Sequence, residues 1–139
     1  MRVFLDTNIM IDVIGRRQQF CQPSLQIMSL ADRGILQICV SAMSFATASF
    51  ILSRDNKQMD VLAELDKFSS ITTITPVDKD TVNDSLRSEF NDFEDAMQFY
   101  SAMRENIDYI ITRNKKDFKE ATVPVFEPQE FIDFLLRDS

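Results

Sequence analysis

Residues 2–8 read RVFLDTN, an apolar run that ends in an acid and then two small polar residues. The run Val3-Phe4-Leu5 is typical of a buried strand in a parallel sheet, and the helical pattern of residues 9–11 follows it directly. In open α/β sheets, ligands bind in the crevice beyond the carboxyl ends of the strands. Asp6 is therefore predicted to face such a crevice, although Asp6 or Thr7 as a simple helix N-cap is the alternative.

The rest of the chain repeats this strand-then-helix alternation. Strands are predicted at 2–5, 36–40, 71–75, 109–112 and 123–126, and helices at 23–33, 41–53, 60–68, 78–90, 93–104 and 128–136. Alternation of this kind predicts an α/β fold, a three-layer α/β/α sandwich with a central parallel five-stranded sheet. With 139 residues, 45% of them hydrophobic, we expect one domain covering 1–139.

Composition excludes several classes of chemistry. The chain has no histidine, which rules out Ser-His-Asp and Cys-His triads and histidine-containing zinc sites. Its two glycines, Gly15 and Gly34, lie in no phosphate-binding loop, and the two cysteines, Cys21 and Cys39, are expected to be buried, reduced thiols. A net charge of -7 argues against a general nucleic-acid coat protein.

The amino-terminal segment carries no signal for a membrane. Acids and an asparagine interrupt its apolar residues, and no apolar stretch of 18 residues occurs elsewhere. We therefore expect a soluble, cytoplasmic protein that does not associate with a membrane.

A second group of acids lies in DFEDA, residues 92–96. Asp92 and Asp95 are three residues apart and share a helical face, whereas Glu94 is predicted to point elsewhere. Asp92 as an N-cap with Asp95 at N3 is the simpler explanation. It does not explain why Asp95 lies beside the apolar stripe of the helix, where a carboxylate needs a partner.

A third polar segment, TRNKKDF, follows the predicted strand at 109–112. Asn114 and Asp117 are predicted either to cap a short helix or to supply oxygen ligands to a metal. The neighbouring cations Arg113, Lys115 and Lys116 either contact a phosphate backbone or form an ordinary solvated face. Oxygen ligands without histidine or cysteine favour Mg²⁺ or Mn²⁺ over zinc.

Taken together, these segments resemble the PIN-domain family, metal-dependent ribonucleases of the VapC toxin type. The resemblance runs in order along the chain through VFLDTNIMID, VSAMSFATASFIL, DFEDAMQFYSAMRENIDYIITRNKKDF and VPVFEPQEF. It implies an RNA substrate, a Mg²⁺ or Mn²⁺ cofactor, an antitoxin protein as partner and a homodimer.

The resemblance also assigns residues to the metal site. Asp6 corresponds to the first metal carboxylate and Asp95 to the third, with Asn8 supporting the loop after the first strand. Asp92 matches an additional acid. In the fourth segment the family places polar or acidic residues at the positions of Asn114 and Asp117.

One position departs from the family pattern. Where the second segment of the family has a glutamate, this chain has Thr47, and no acid occurs between Gly34 and Arg54. One negative ligand is therefore missing, and weaker metal binding is expected.

The leading hypothesis is an endoribonuclease in which Asp6, Asp92, Asp95 and Asp117 hold the ion that activates water. A catalytically impaired RNA- or protein-binding module of the same fold is the first alternative. A receiver-like signalling domain is the second, and it is disfavoured because such a domain pairs adjacent acids after its first strand.

Overall fold

The computed structural model describes residues 1–17 and 20–137. Within them, five strands form one parallel sheet in the order β3-β2-β1-β4-β5. They are β1 (Arg2–Leu5), β2 (Gln37–Ser41), β3 (Thr72–Thr75), β4 (Tyr109–Ile111) and β5 (Val125–Phe126). The predicted five-stranded parallel sheet is confirmed, and each strand end lies within two residues of its predicted position.

Helices cover both faces of this sheet, as the three-layer prediction requires. They are α1 (Thr7–Gly15), α2 (Cys21–Asp32), α3 (Ala42–Asp55), α4 (Val61–Ser70), α5 (Lys79–Leu86), α6 (Phe93–Met103) and α7 (Pro128–Arg137), with a 3-10 turn at Lys115–Phe118. No helix in the described ranges is both long and apolar enough to cross a membrane.

The alternation of side chains along β1 produces two separate cores. Val3 and Leu5 point to the face covered by α1, α2, α3, α4 and α7. Phe4 points to the opposite face and packs with Phe99 of α6 and Phe118 of the 3-10 turn. Because every strand residue of β1 from Val3 onwards is fully buried, the central strand is apolar on both faces.

Short polar residues start several of the helices. Ser41, Asp60 and Asp78 cap α3, α4 and α5, each accepting a hydrogen bond from a backbone N–H of the first turn. At α5 the cap is reciprocal, since Thr81 Oγ1 also accepts from the backbone N–H of Asp78.

Helix α5 ends earlier than the predicted boundary at residue 90. The Ser88 hydroxyl donates to the Ser85 carbonyl over 2.8 Å and accepts the backbone N–H of Phe90 at 3.3 Å. These local hydrogen bonds compete with continuation of the helix. The segment 87–92 is therefore an irregular connection, which leads into α6 beside the carboxyl ends of the central strands.

Strand β1 lies at the point where the chain switches direction across the sheet. From β1 the chain builds β2 and β3 on one side and β4 and β5 on the other. Leu5 is in register with Ile111 of β4, and the backbone N–H of Asp6 donates to the Ile111 carbonyl at 3.0 Å. Residues that follow β1 and β4 therefore meet in the crevice where α/β sheets bind ligands.

Candidate functional site

Asp6 stands at the N-cap position of α1, but its side chain makes no capping hydrogen bond. Its Oδ2 atom instead accepts a 2.7 Å hydrogen bond from Thr112 Oγ1, at the end of β4. The residue is 4% exposed, and burial raises the pKa of Asp6, while the hydrogen bond from Thr112 lowers it in part. The carboxylate is thus held toward the switch point rather than used as a cap.

Two buried polar residues that hold this region were not identified from the sequence. Thr112 donates to Asp6 and also accepts the backbone N–H of Asn114 at 3.0 Å. Gln98 of α6 accepts the backbone N–H of Thr7 at 3.1 Å, and its side chain also helps to lower the pKa of Asp6. One feature of the sequence could have identified Gln98: it is a polar residue on the apolar face of α6, three residues after Asp95.

Asp92 and Asp95 occupy the first turn of α6. Asp92 is the N-cap, and its Oδ1 atom accepts the backbone N–H of Asp95 at 3.0 Å, so the capping explanation is correct for Asp92. Asp95 is different, because burial raises its pKa to about 7 with further contributions from the negative charges of Asp117, Asp92, Asp6 and Glu94. The structure therefore brings the four predicted acids into one electrostatically coupled group.

Asp117 is oriented by Asn114. Asn114 stands at the N-cap position of the 3-10 turn without a capping hydrogen bond, and its Nδ2 atom donates to Asp117 Oδ2 at 2.7 Å. The two residues therefore act as a pair, in which the amide fixes one carboxylate oxygen of Asp117.

Glu94 does not line the cleft beside Asp92 and Asp95, but its charge still reaches Asp95. Thr47 Oγ1 of α3 donates to Glu94 Oε1 at 3.4 Å, and the negative charge of Glu94 helps to raise the pKa of Asp95. Glu94 is exposed, and Thr47 is half-buried. A carboxylate from α6 therefore lies beside the position where the family pattern led us to expect one from α3.

The three basic residues that were predicted to contact a phosphate backbone lie in different environments. Arg113 Nε donates to Asp12 at 2.7 Å, and its guanidinium carbon lies 4.0 Å from the centre of the Phe20 ring. Lys115 pairs with Glu130 at 3.1 Å, whereas Lys116 is exposed beside Asp117. A phosphate contact by Arg113 is limited to the part of its side chain that remains at the surface, 29%. Asn8 is exposed in the first turn of α1.

The acid group matches a hard divalent cation by charge and by donor type. Carboxylate and amide oxygens are the ligands that Mg²⁺ and Mn²⁺ take, and mutual repulsion of Asp95 with its neighbours is the kind that a cation relieves. In residues 1–17 and 20–137, no three acidic or cysteine side chains lie close enough to enclose an ion by themselves. Binding would therefore require these side chains to draw together.

A cleft of about 780 Å³ opens beside the acids, between α6, the 87–92 connection and the 3-10 turn. Its lining includes Asp92, Asp95, Asp117, Phe90, Tyr100 and Lys116. Carboxylates, aromatic rings and lysine side chains thus share one concave surface.

Comparison with known proteins gives relatives that match over nearly the whole chain. Ribonuclease VapC1 of Aquifex aeolicus (strain VF5) is 24% identical over 137 residues, covering 95% of this chain and 94% of the relative. The crystal structure of VapBC2 from Rickettsia felis bound to a promoter DNA fragment contains a chain with a TM-score of 0.67 and 23% identity. FitAcB from Neisseria gonorrhoeae contains one with a TM-score of 0.68 and 19% identity. In both structures the match covers 91% of this chain and 98% of the other.

The chain also matches the sequence pattern of a protein family. Residues 2–116 match the PIN domain, a range that begins with β1, includes Asp6, Asp92 and Asp95, and ends in the 3-10 turn. Because this match covers well over half of the 139 residues, the chain belongs to the PIN domain family.

Proposed function

We propose that this protein is a Mg²⁺- or Mn²⁺-dependent endoribonuclease that hydrolyses RNA phosphodiester bonds. The observation that carries the proposal is the coupled acid group at the carboxyl ends of β1 and β4, in which the pKa of Asp95 rises to about 7. Perturbed carboxylates in a cleft are characteristic of functional sites.

The side chains of the chain have separate roles in this proposal. Asp6 and Asp95 would hold the ion, with Asp92 and Asp117 beside them, and Thr112 and Asn114 would orient Asp6 and Asp117. When bound, the ion would lower the pKa of water and neutralise charge on the scissile phosphate. The hydrogen bonds from Thr112 and Asn114 keep two carboxylates oriented before an ion arrives, which reduces the cost of assembling the site.

The names of the relatives support the reaction class and a partner. One relative is a ribonuclease, and a neighbouring structure from Klebsiella pneumoniae is described as a toxin-antitoxin complex. We propose that this chain is the toxin of such a pair, with an antitoxin protein as partner, and that it forms a homodimer. Co-purification with a co-expressed neighbouring gene product and light scattering of the isolated chain test these two points separately.

The direct test is RNA cleavage with Mn²⁺ and with a chelator. Wild type is expected to cleave RNA with Mn²⁺ but not in chelator. Asp6→Asn and Asp95→Asn are expected to show no cleavage under either condition. Asp66→Asn is a matched control, because Asp66 is an exposed aspartate on α4, in the opposite helical layer. Undiminished cleavage by wild type in chelator, or equal cleavage by wild type and both site variants with Mn²⁺, would exclude the metal mechanism.

The alternative is a PIN-fold module that binds RNA or protein without cleaving. It is favoured by Thr47 at the expected glutamate position and by the absence of three converging acids within the described ranges. Calorimetric titration with Mn²⁺ separates the two functions, because a chain that binds no Mn²⁺ would support the non-catalytic module.

A further inference from the structure

The cleft beside the acids has an aromatic wall that the hydrolytic site does not use. Phe90, Phe99 and Tyr100 all line it, together with Asp95 and Asp117. Its volume of about 780 Å³ falls within the roughly 300–1,000 Å³ typical of pockets that enclose a small ligand. The cleft therefore has space for a chemical group beyond the scissile phosphate.

The three rings form one contiguous cluster. Ring centroids are 5.2 Å apart for Phe90 and Phe99, 5.1 Å for Phe99 and Tyr100, and 6.2 Å for Phe90 and Tyr100. Phe99 is buried, with 7% exposure, and packs into the core, whereas Phe90 and Tyr100 are only half-buried. The buried ring thus supports two others whose remaining surface is available to the cleft.

The position of Phe90 is set by the backbone rather than by a helix. It lies in the 87–92 connection, where its N–H donates to Ser88 Oγ at 3.3 Å. The hydrogen bonds that end α5 therefore also place this ring next to the acids. The packing of this ring against Phe99 and Tyr100 limits its conformational freedom before a base contacts it.

Charge around the cleft restricts what can bind there. Three basic side chains (Arg87, Lys116 and Lys119) and five acidic ones (Glu89, Asp92, Asp95, Asp117 and Glu120) line it, a difference of two negative charges. A polyanion is repelled by this surface unless a divalent cation offsets the excess. The basic side chains then provide a local attraction for phosphate.

We propose that this cleft holds one unpaired nucleotide of single-stranded RNA, with its base stacked on Tyr100 and in contact with Phe90, and its phosphate directed toward Lys116 and the acids. The inference rests on the proposed ribonuclease function and adds a base-binding subsite to it. Stacking on aromatic side chains tolerates any base, so the subsite selects for unpaired RNA rather than for one sequence. A base inside a duplex cannot present its face to these rings.

The first test measures binding of a labelled hexanucleotide RNA, without self-complementarity, to the intact protein in Ca²⁺ by fluorescence anisotropy. Tyr100→Leu is expected to weaken binding roughly tenfold, since stacking of one base contributes about that much, and Phe90→Leu should weaken binding to a smaller extent. Phe50→Leu, a change at an exposed ring on α3 outside the cleft, should leave affinity unchanged. Unchanged affinity in both cleft variants, with wild-type circular dichroism spectra, would overturn the subsite.

A second measurement does not depend on how these variants fold. The chain contains two tyrosines and no tryptophan. Tyr100 lines the cleft, while Tyr109 packs in a separate aromatic cluster with Phe126 and Phe134. RNA is expected to quench part of the tyrosine emission of wild type, and Tyr100→Phe should remove that quenching while keeping the affinity. Saturable binding without any quenching would contradict the stacking geometry.

The outcomes separate this inference from the proposed function. Quenching by RNA without cleavage in Mn²⁺ would support the subsite and reject the nuclease. Metal-dependent cleavage with unchanged affinity and unchanged rate in Phe90→Leu and Tyr100→Leu would support the nuclease and reject the subsite. A double-stranded RNA of the same sequence should bind wild type no more tightly than it binds Tyr100→Leu. If wild type binds the duplex clearly more tightly than the single strand, the subsite is also rejected.

Discussion

Thr112 Oγ1 donates a 2.7 Å hydrogen bond to Asp6 Oδ2, which joins two residues that are 106 positions apart in the sequence. Both side chains are buried, so the Asp6 carboxylate depends on this donor in place of water.

Replacing Thr112 by valine is expected to destabilise the protein by about 1–3 kcal/mol, since the shape is kept and a buried acceptor loses its donor. Urea denaturation measures the free energy of unfolding. Thr122→Val, the same change at an exposed site, should stay within about 0.5 kcal/mol of wild type. Equal stability of the two variants would show that the hydrogen bond contributes little.

The stability of the metal-free protein is expected to fall as pH rises from about 4 to about 7. Burial raises the pKa of Asp95 from the ordinary aspartate value of 3.8 to about 7, so between these values the folded state binds more protons than the unfolded chain. Its free energy of unfolding therefore decreases with pH. Thermal melts in chelator should show a lower Tm at pH 8 than at pH 5.

Asp95→Asn removes this titration and should flatten the dependence, whereas Asp66→Asn should not. Added Mn²⁺ should raise the Tm more at pH 8 than at pH 5, because protons compete with the ion for the same carboxylates. An equal rise at both pH values would contradict binding at Asp95.

The missing carboxylate at position 47 can be restored. Thr47→Glu would place a second acid next to Glu94, whose Oε1 atom is 3.4 Å from Thr47 Oγ1. Without metal, repulsion between the two should lower the Tm at pH 8. With metal, the added ligand charge should increase the affinity for Mn²⁺ at least about tenfold in calorimetric titration. Thr47→Gln introduces a side chain as long as glutamate but without charge, and it should change neither the Tm nor the affinity for Mn²⁺.

Arg113 is expected to contribute to stability through Asp12, which is completely buried. Arg113→Met should cost about 3 kcal/mol, because it leaves a buried carboxylate with only the more distant Arg17, at 3.5 Å. Lys115→Met breaks an exposed ion pair with Glu130 and should cost no more than about 1 kcal/mol.

Adding Asp12→Asn to Arg113→Met should recover part of the loss, since no uncompensated charge then remains buried. Chemical denaturation of the single and double variants measures this coupling. A double variant that is as unstable as the sum of the two single changes would argue that the pair is not coupled.

The fold followed from the sequence because its signals are local and repeated. Short β-branched or aromatic runs separated by helical periodicity predicted five strands, and the run Val3-Phe4-Leu5 predicted a buried strand, which the structure places at the centre of the sheet. The end of α5 was misplaced because the hydrogen bonds of Ser88 depend on local geometry that periodicity does not report.

The site was only partly visible in the sequence for a different reason. Acids after a strand or beside the apolar stripe of a helix are conspicuous, so Asp6, Asp95 and Asp117 were identified. Thr112 and Gln98 were not, because their roles depend on which strand and which helix lie next to Asp6. Such contacts between distant segments leave no trace in spacing, and the same is true of the approach of Glu94 to Thr47.

The pairing of β1 with β4 determines when during synthesis the site can exist. Asp6 is synthesised more than a hundred residues before β4, which pairs with β1, and before the turn that carries Asp117. A nascent chain that has not yet released residues 109–117 therefore holds only one side of the acid group. The enzyme proposed here cannot act on the RNA around it until the segment that carries Asp117 has been translated.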